Sequence, residues 1–78
     1  MKTIRTRGAR VLTDLMIELR VKAGLTQDQL AVRLKRNQQY VDRIESGQQI
    51  ADPLECRAWA EACGVTGWGF WWRLGRRH

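Results

Sequence analysis

Two consecutive glutamines stand near the start of the stretch KRNQQYVDRIESG, residues 35–47. A glutamine amide offers one acceptor oxygen and two donor hydrogens in a single plane. Adenine presents a donor and an acceptor side by side in the major groove of DNA, so Gln38 or Gln39 could bind it through two hydrogen bonds. Arg43, about one turn further along, could bind a guanine edge or a phosphate. In an arbitrary helix, however, such glutamines would be solvated surface residues.

The charge of the chain fits a polyanionic partner. Its 78 residues contain 14 Lys and Arg, of which 11 are Arg, against 8 Asp and Glu, and the formal net charge is +6. Basic side chains that neutralise phosphates release counterions, which favours binding. Arginine also binds phosphates and base edges through its planar fork. The same excess of charge could serve solubility alone, because net charge does not determine fold or partner.

Several classes of protein find no support in the sequence. No apolar run approaches the roughly 20 residues that span a bilayer, and the basic N-terminus lacks the apolar segment of a secretory signal. Cys56 and Cys63 are too far apart on one helix for a disulfide, and without a nearby His they do not form a zinc site. His78 stands alone at the end of the chain. We therefore predict no enzyme activity, metal, cofactor, small-molecule substrate or membrane partner, and a cytoplasmic location.

Apolar spacing and capping residues predict four helices and no strand. Apolar residues recur at three- and four-residue steps from Ala9 to Ala23. Thr26, Asn37 and Asp52 are typical N-caps for the second, third and fourth helices. The expected helices occupy about residues 9–23, 27–35, 38–47 and 53–63. A further short helix could begin after Thr66.

Only the residues KRN, 35–37, separate the second and third helices, so these helices must meet at a steep angle, as in a helix-turn-helix. The stretch GLTQDQLAVRLKRNQQYVDRIESG, residues 24–47, resembles the helix-turn-helix of phage repressor and Cro-type (XRE-type) regulators. The resemblance extends over residues 19–65. It rests on Thr26-Gln27, Leu30-Ala31, Val41, Ile44, Glu45 and Gly47 in the order and spacing of the family. It implies a compact, all-α domain of four to five helices with a lambda repressor-like fold.

One position departs from the family pattern. Family members commonly have a glycine at the end of the second helix, where the backbone is left-handed, and Lys35 stands there in this chain. A residue with a side chain in that conformation costs about 1 kcal/mol. Either the turn tolerates Lys35, or Asn37 adopts part of the unusual backbone conformation.

The resemblance also implies which residues contact double-stranded DNA. In members of the family, the third helix lies in the major groove with its first residues at the base edges. That arrangement assigns base reading to Gln38 and Gln39, with Arg43 on the same side. Asp42 either accepts a hydrogen bond from a cytosine or points away from DNA. The residues expected at the DNA backbone are Gln27, Lys35, Arg36, Asn37 and Tyr40.

Two of these DNA contacts have a more specific basis, and the resemblance also implies an ion pair inside the protein. Gln27 stands at the start of a helix, where the dipole favours a phosphate. Tyr40 could donate its hydroxyl to a phosphate or pack its ring against a sugar. In related proteins, an arginine and a glutamate at the positions of Arg20 and Glu45 tie the first helix to the end of the third, which implies a structural ion pair here.

The two ends of the chain are expected to differ from the central domain, residues 9–65. Residues 1–8 are expected to form a basic arm that is either a flexible tail or a segment that wraps around DNA. Residues 66–78, TGWGFWWRLGRRH, are rich in Trp and predict a contact with a second copy of the chain. A lipid surface or a missing continuation of the chain are the alternatives for this segment. The residues expected in the dimer contact are Phe70, Trp71, Trp72 and Leu74.

Together these features favour a transcriptional regulator, bacterial or phage-encoded, that binds a palindromic operator as a dimer. Repression by blocking the polymerase, with autoregulation, is the simplest mechanism. A phage switch protein, a controller of a restriction–modification system and an antitoxin remain equally open. The alternative function is a protein-interaction module or antitoxin-like partner that uses the Trp-rich end, with DNA binding secondary or lost.

Overall fold

The computed structural model describes residues 7–65, which form four α-helices and no β-strand. The helices are α1 (Arg7–Lys22), α2 (Gln27–Leu34), α3 (Gln38–Glu45) and α4 (Pro53–Ala62). The predicted all-α class is confirmed. None of the helices in residues 7–65 is both long and apolar enough to cross a membrane.

The C-terminal ends of the four helices and the start of α1 differ from the predicted ones by one or two residues, as is usual for helix termini. Arg7 and Gly8, which the predicted arm included, lie in helix α1. Helix α3 ends at Glu45, before Gly47. The remainder of the arm, the predicted helix after Thr66 and the four predicted dimer-contact residues lie outside the described residues.

Each of the helices α2, α3 and α4 begins at its predicted cap. Thr26 Oγ1 accepts a hydrogen bond from the backbone N–H of Gln29 at 3.1 Å, and Gln29 Oε1 accepts one from the backbone N–H of Thr26 at 2.8 Å. Asp52 and Glu55 form the same reciprocal box at the start of α4. Asn37 Oδ1 accepts from the backbone N–H of Tyr40 at 2.9 Å. These local bonds fix α3 so that two glutamines are its first residues.

One hydrophobic core joins the four helices around Trp59. The indole ring is 0% exposed, and its Nε1–H donates a 3.0 Å hydrogen bond to the backbone oxygen of Met16 in α1. Helix α3 contributes Val41 and Ile44 to the same core. The packing therefore holds α3 by one side only and leaves its other side at the surface. The remaining large side chains that are fully buried are Leu15, Met16 and Leu30.

Lys35 adopts the left-handed conformation at the end of α2, with φ 57° and ψ 40°. It is the only residue besides glycine with a positive φ within residues 7–65. Asn37 is extended, with φ −83°. Of the two alternatives for this turn, the structure therefore shows that Lys35 itself carries the unusual backbone conformation.

Replacing Lys35 by glycine is expected to raise the free energy of unfolding by about 1 kcal/mol, because glycine adopts this conformation without steric cost. The gain is partly offset by the greater freedom of glycine in the unfolded chain. Urea unfolding followed by circular dichroism measures the change. Lys35→Ala is the matched control, since it removes the same charge but keeps the Cβ atom. If Lys35→Ala gained as much stability as Lys35→Gly, charge and not backbone strain would explain the effect.

Candidate nucleic-acid interface

Helix α3 has one buried and one exposed side. Tyr40, Val41 and Ile44 face the core. At about 100° per residue, the other side spans an arc of about 140°. Every residue on this arc is exposed, and none is apolar. The helix therefore presents a continuous polar surface to solvent, which we call the outer face of α3. It consists of Gln38, Gln39, Asp42, Arg43 and Ser46, the last being the C-cap.

An ion pair fixes the end of α3 to α1. Arg20 Nε lies 2.6 Å from Glu45 Oε2, and Arg20 Nη2 lies 3.0 Å from Glu45 Oε1. The third nitrogen of the guanidinium donates to the backbone oxygen of Leu25 at 2.8 Å. The side chains of Arg20 and Glu45 are only 17% and 8% exposed. The hydrogen bond with Glu45 raises the pKa of Arg20 above its usual value. Such a bidentate ion pair fixes the orientation of both side chains.

Two glutamines extend this ion pair to the first residue of α3. Gln27 Nε2 donates to Glu45 Oε1 at 3.1 Å. Gln38 Nε2 in turn donates to Gln27 Oε1 at 2.6 Å. The chain of contacts runs from Arg20 through Glu45 and Gln27 to Gln38, and we call it the support network.

The support network determines how the Gln38 amide is oriented. An ionised carboxylate only accepts hydrogen bonds, so Gln27 must turn its NH₂ group toward Glu45 and its oxygen toward Gln38. Gln38 must then use one N–H for Gln27, which leaves its Oε1 and its second N–H. These two groups are the acceptor and the donor that the edge of adenine requires.

The role of Gln27 in this network is not evident from sequence, which predicts only a phosphate contact for it. Gln27 and Gln38 are the first residues of α2 and α3. A steep crossing of two helices joined by three residues can bring such positions together. Two glutamines at the first positions of consecutive helices are therefore the sequence signal that could have indicated this contact.

The turn between α2 and α3 holds the exposed residues Lys35, Arg36 and Asn37. The guanidinium of Arg36 lies 4.5 Å from the centre of the Tyr40 ring. Its Nη2 lies 3.8 Å from Glu55 Oε2. Asn37 uses its oxygen to cap α3 and keeps its NH₂ group for another partner. All three are exposed, and their contact with a DNA backbone stays a prediction.

Tyr40, for which a contact to the DNA backbone is predicted, lies largely buried where α3 meets α4. Tyr40 is 7% exposed, and its hydroxyl donates a 2.9 Å hydrogen bond to Glu55 Oε2. Burial and the hydrogen bond with Glu55 raise the pKa of Tyr40 above its usual range. Tyr40 precedes Val41 and lies four residues before Ile44, so it shares their apolar side of α3. These contacts join α3 to α4 and place the Tyr40 ring beside Arg36.

The two thiols contribute no reactive group. Cys56 is buried, and burial raises the pKa of both Cys56 and Cys63 to about 11. Both are therefore protonated near neutral pH. Within residues 7–65, no group of three His, Cys, Asp or Glu side chains is placed to hold a metal ion.

A family model described as a helix-turn-helix domain matches residues 12–67. The matched segment contains α2, α3 and α4, most of α1, and the whole support network. A search of curated proteins gave no match.

Proposed function

The chain belongs to the helix-turn-helix domain family, and from this premise we propose that it is a sequence-specific, double-stranded DNA-binding transcriptional regulator. The observation that carries the proposal is the orientation of Gln38. The support network presents the acceptor and donor of its amide on the exposed end of α3. Such an ordered amide is of no evident use to the stability of the domain, since Gln38 is exposed.

In the proposed complex, the outer face of α3 lies in the major groove. Gln38 binds an adenine through two hydrogen bonds. Gln39 and Arg43 contact neighbouring base edges. This arrangement is compatible with the core packing, because α3 is buried only on its opposite side.

The DNA backbone would be bound beside the groove by residues at the helix N-termini and in the turn. Gln27 keeps its second amide hydrogen after its bond to Glu45 and stands at the positive end of the α2 dipole. Lys35, Arg36 and Asn37 supply two positive charges and a donor amide. Contacts of this kind position a protein on DNA but carry no sequence information.

We further propose that the protein binds a palindromic operator as a dimer and acts as a repressor. Two-fold dimers are the commonest assemblies, and a dimer places two reading helices about 34 Å apart, one turn of DNA. Phe70, Trp71, Trp72 and Leu74 supply the proposed dimer contact through their apolar surface. A dimer on a promoter would block the polymerase, and an operator in its own promoter would give autoregulation.

Selection of bound sequences from a random DNA pool, with the full chain, tests the proposal. We expect a two-fold symmetric site whose half-sites are about one helical turn apart. We also expect the affinity to fall steeply as salt concentration rises. Enrichment of an asymmetric site would contradict the dimer. Failure to enrich any sequence, with no salt-dependent binding to random DNA, would contradict DNA binding and favour a protein-interaction module.

Gln38→Ala is expected to relax the preference at one base pair in each half-site by about 1–3 kcal/mol. The substitution should leave the melting temperature nearly unchanged, because Gln38 is exposed. Quantitative binding to the selected site and to its single-base variants measures the change. Gln48→Ala, which removes an exposed amide outside α3, is the control. A loss of affinity spread evenly over all sequences would make Gln38 a backbone contact.

A further inference from the structure

Asp42 is the one acidic residue on the outer face of α3. It lies four residues after Gln38, near the middle of the exposed arc, and its side chain is exposed. Some carboxylates of the domain are paired with a cation, as in Glu45 with Arg20 and Glu61 with Arg57. Within residues 7–65, no hydrogen bond or ion pair engages the carboxylate of Asp42.

No contact within residues 7–65 stabilises this carboxylate in the free protein. Asp42 lies in the second half of α3, where the helix dipole disfavours a negative charge. It forms no N-cap, in contrast to Asp52. On DNA, its charge would also be repelled by the phosphates. A residue with these costs at the centre of the reading surface needs a compensating contact with the bases.

The chemistry of a carboxylate defines that contact. An ionised carboxylate has acceptors only. In the major groove, cytosine offers an amino donor at N4, whereas guanine presents acceptors at N7 and O6 and thymine presents one at O4. Adenine offers a donor, but its N7 acceptor lies beside it and repels the second carboxylate oxygen. Of the four bases, cytosine therefore suits Asp42 best.

We propose that Asp42 is a specificity-determining residue that accepts a hydrogen bond from the N4 amino group of a cytosine in each half-site. This inference rests on the proposed function, since it requires α3 to lie in the major groove. Four residues correspond to about 6 Å along a helix, and stacked bases are about 3.4 Å apart. The cytosine therefore lies one or two base pairs from the position that Gln38 reads.

The test compares the sequences selected by the full wild-type chain with those selected by Asp42→Asn and Asp42→Ala. Wild type is expected to favour cytosine at one position of each half-site by about tenfold. Asp42→Asn should lose this preference and admit adenine, because an Asn amide pairs with adenine. Asp42→Ala should lose the preference without replacing it. The position read by Gln38 should be unchanged in both variants.

Asp14→Asn is the matched control. Asp14 is exposed on α1 beside Arg7 and Arg10, so this variant loses the same charge away from α3. It should bind random DNA more tightly but select the wild-type sequence. If Asp42→Asn also kept the wild-type sequence and only raised overall affinity, Asp42 would act through charge alone and the inference would be wrong. If wild type itself enriched no sequence, the proposed function would be wrong and the role of Asp42 with it.

Discussion

Glu45→Ala is expected to lower the free energy of unfolding by about 3–5 kcal/mol, because it leaves the largely buried guanidinium of Arg20 without its partner. The substitution also removes the acceptor for Gln27 and thereby disconnects Gln38 from the scaffold. For a small domain, such a loss is a large part of the total stability. Urea and thermal unfolding followed by circular dichroism measure it. DNA binding should fall as a consequence of unfolding.

Two comparisons distinguish the loss of this ion pair from the loss of any one negative charge. Glu61→Ala removes a half-exposed carboxylate that pairs with Arg57 on the same helix, and exposed pairs of this kind contribute less than about 1 kcal/mol. The double variant Arg20→Ala with Glu45→Ala should be far less destabilised than the sum of the single variants, since neither charge is then left alone. A Glu45→Ala variant that kept its melting temperature but lost DNA binding would contradict the structural role of the pair.

Trp59→Ala is the second substitution with a large expected effect, a loss of about 3–5 kcal/mol in the free energy of unfolding. The ring is 0% exposed within the core that joins the four helices. Alanine would leave a cavity where the indole lay and would also remove the hydrogen bond to the backbone of Met16. Because α3 is held by this core, the reading surface would be lost together with the fold.

Circular dichroism is the suitable measurement for this variant, since the chain has 4 tryptophans and their fluorescence is not specific to one site. Trp59→Phe should lose less stability, because it keeps much of the apolar volume and removes the hydrogen bond. Leu54→Ala truncates a side chain that is 76% exposed and should change stability by less than about 0.5 kcal/mol. Equal losses in Trp59→Ala and Leu54→Ala would show that Trp59 is not central to the core.

Much of the fold was predictable because its signals are local. The caps at Thr26, Asn37 and Asp52 act through hydrogen bonds over three residues, so the types of the residues and their spacing are sufficient to place the helix starts. Val41 and Ile44, two of the residues that carry the family resemblance, are buried on one side of α3. The family, confirmed by the match over residues 12–67, follows from the same short-range features.

The candidate site was less predictable where its contacts join distant parts of the chain. The hydrogen bond between Gln38 and Gln27 connects residues 11 apart, and that between Tyr40 and Glu55 connects residues 15 apart. Both depend on how the helices cross, which no local pattern specifies. The packing of Tyr40 into the core was therefore not predicted, and its contact with DNA stays a prediction.

The sequence by itself thus determined that this chain is a helix-turn-helix domain with a polar surface on its third helix, because capping and periodicity are properties of neighbouring residues. Only the tertiary structure decided that Gln38 is held by Gln27, Glu45 and Arg20, that Tyr40 is internal and that Lys35 carries the left-handed turn. These features arise where separate helices meet, and their geometry is set by the packing of the whole core.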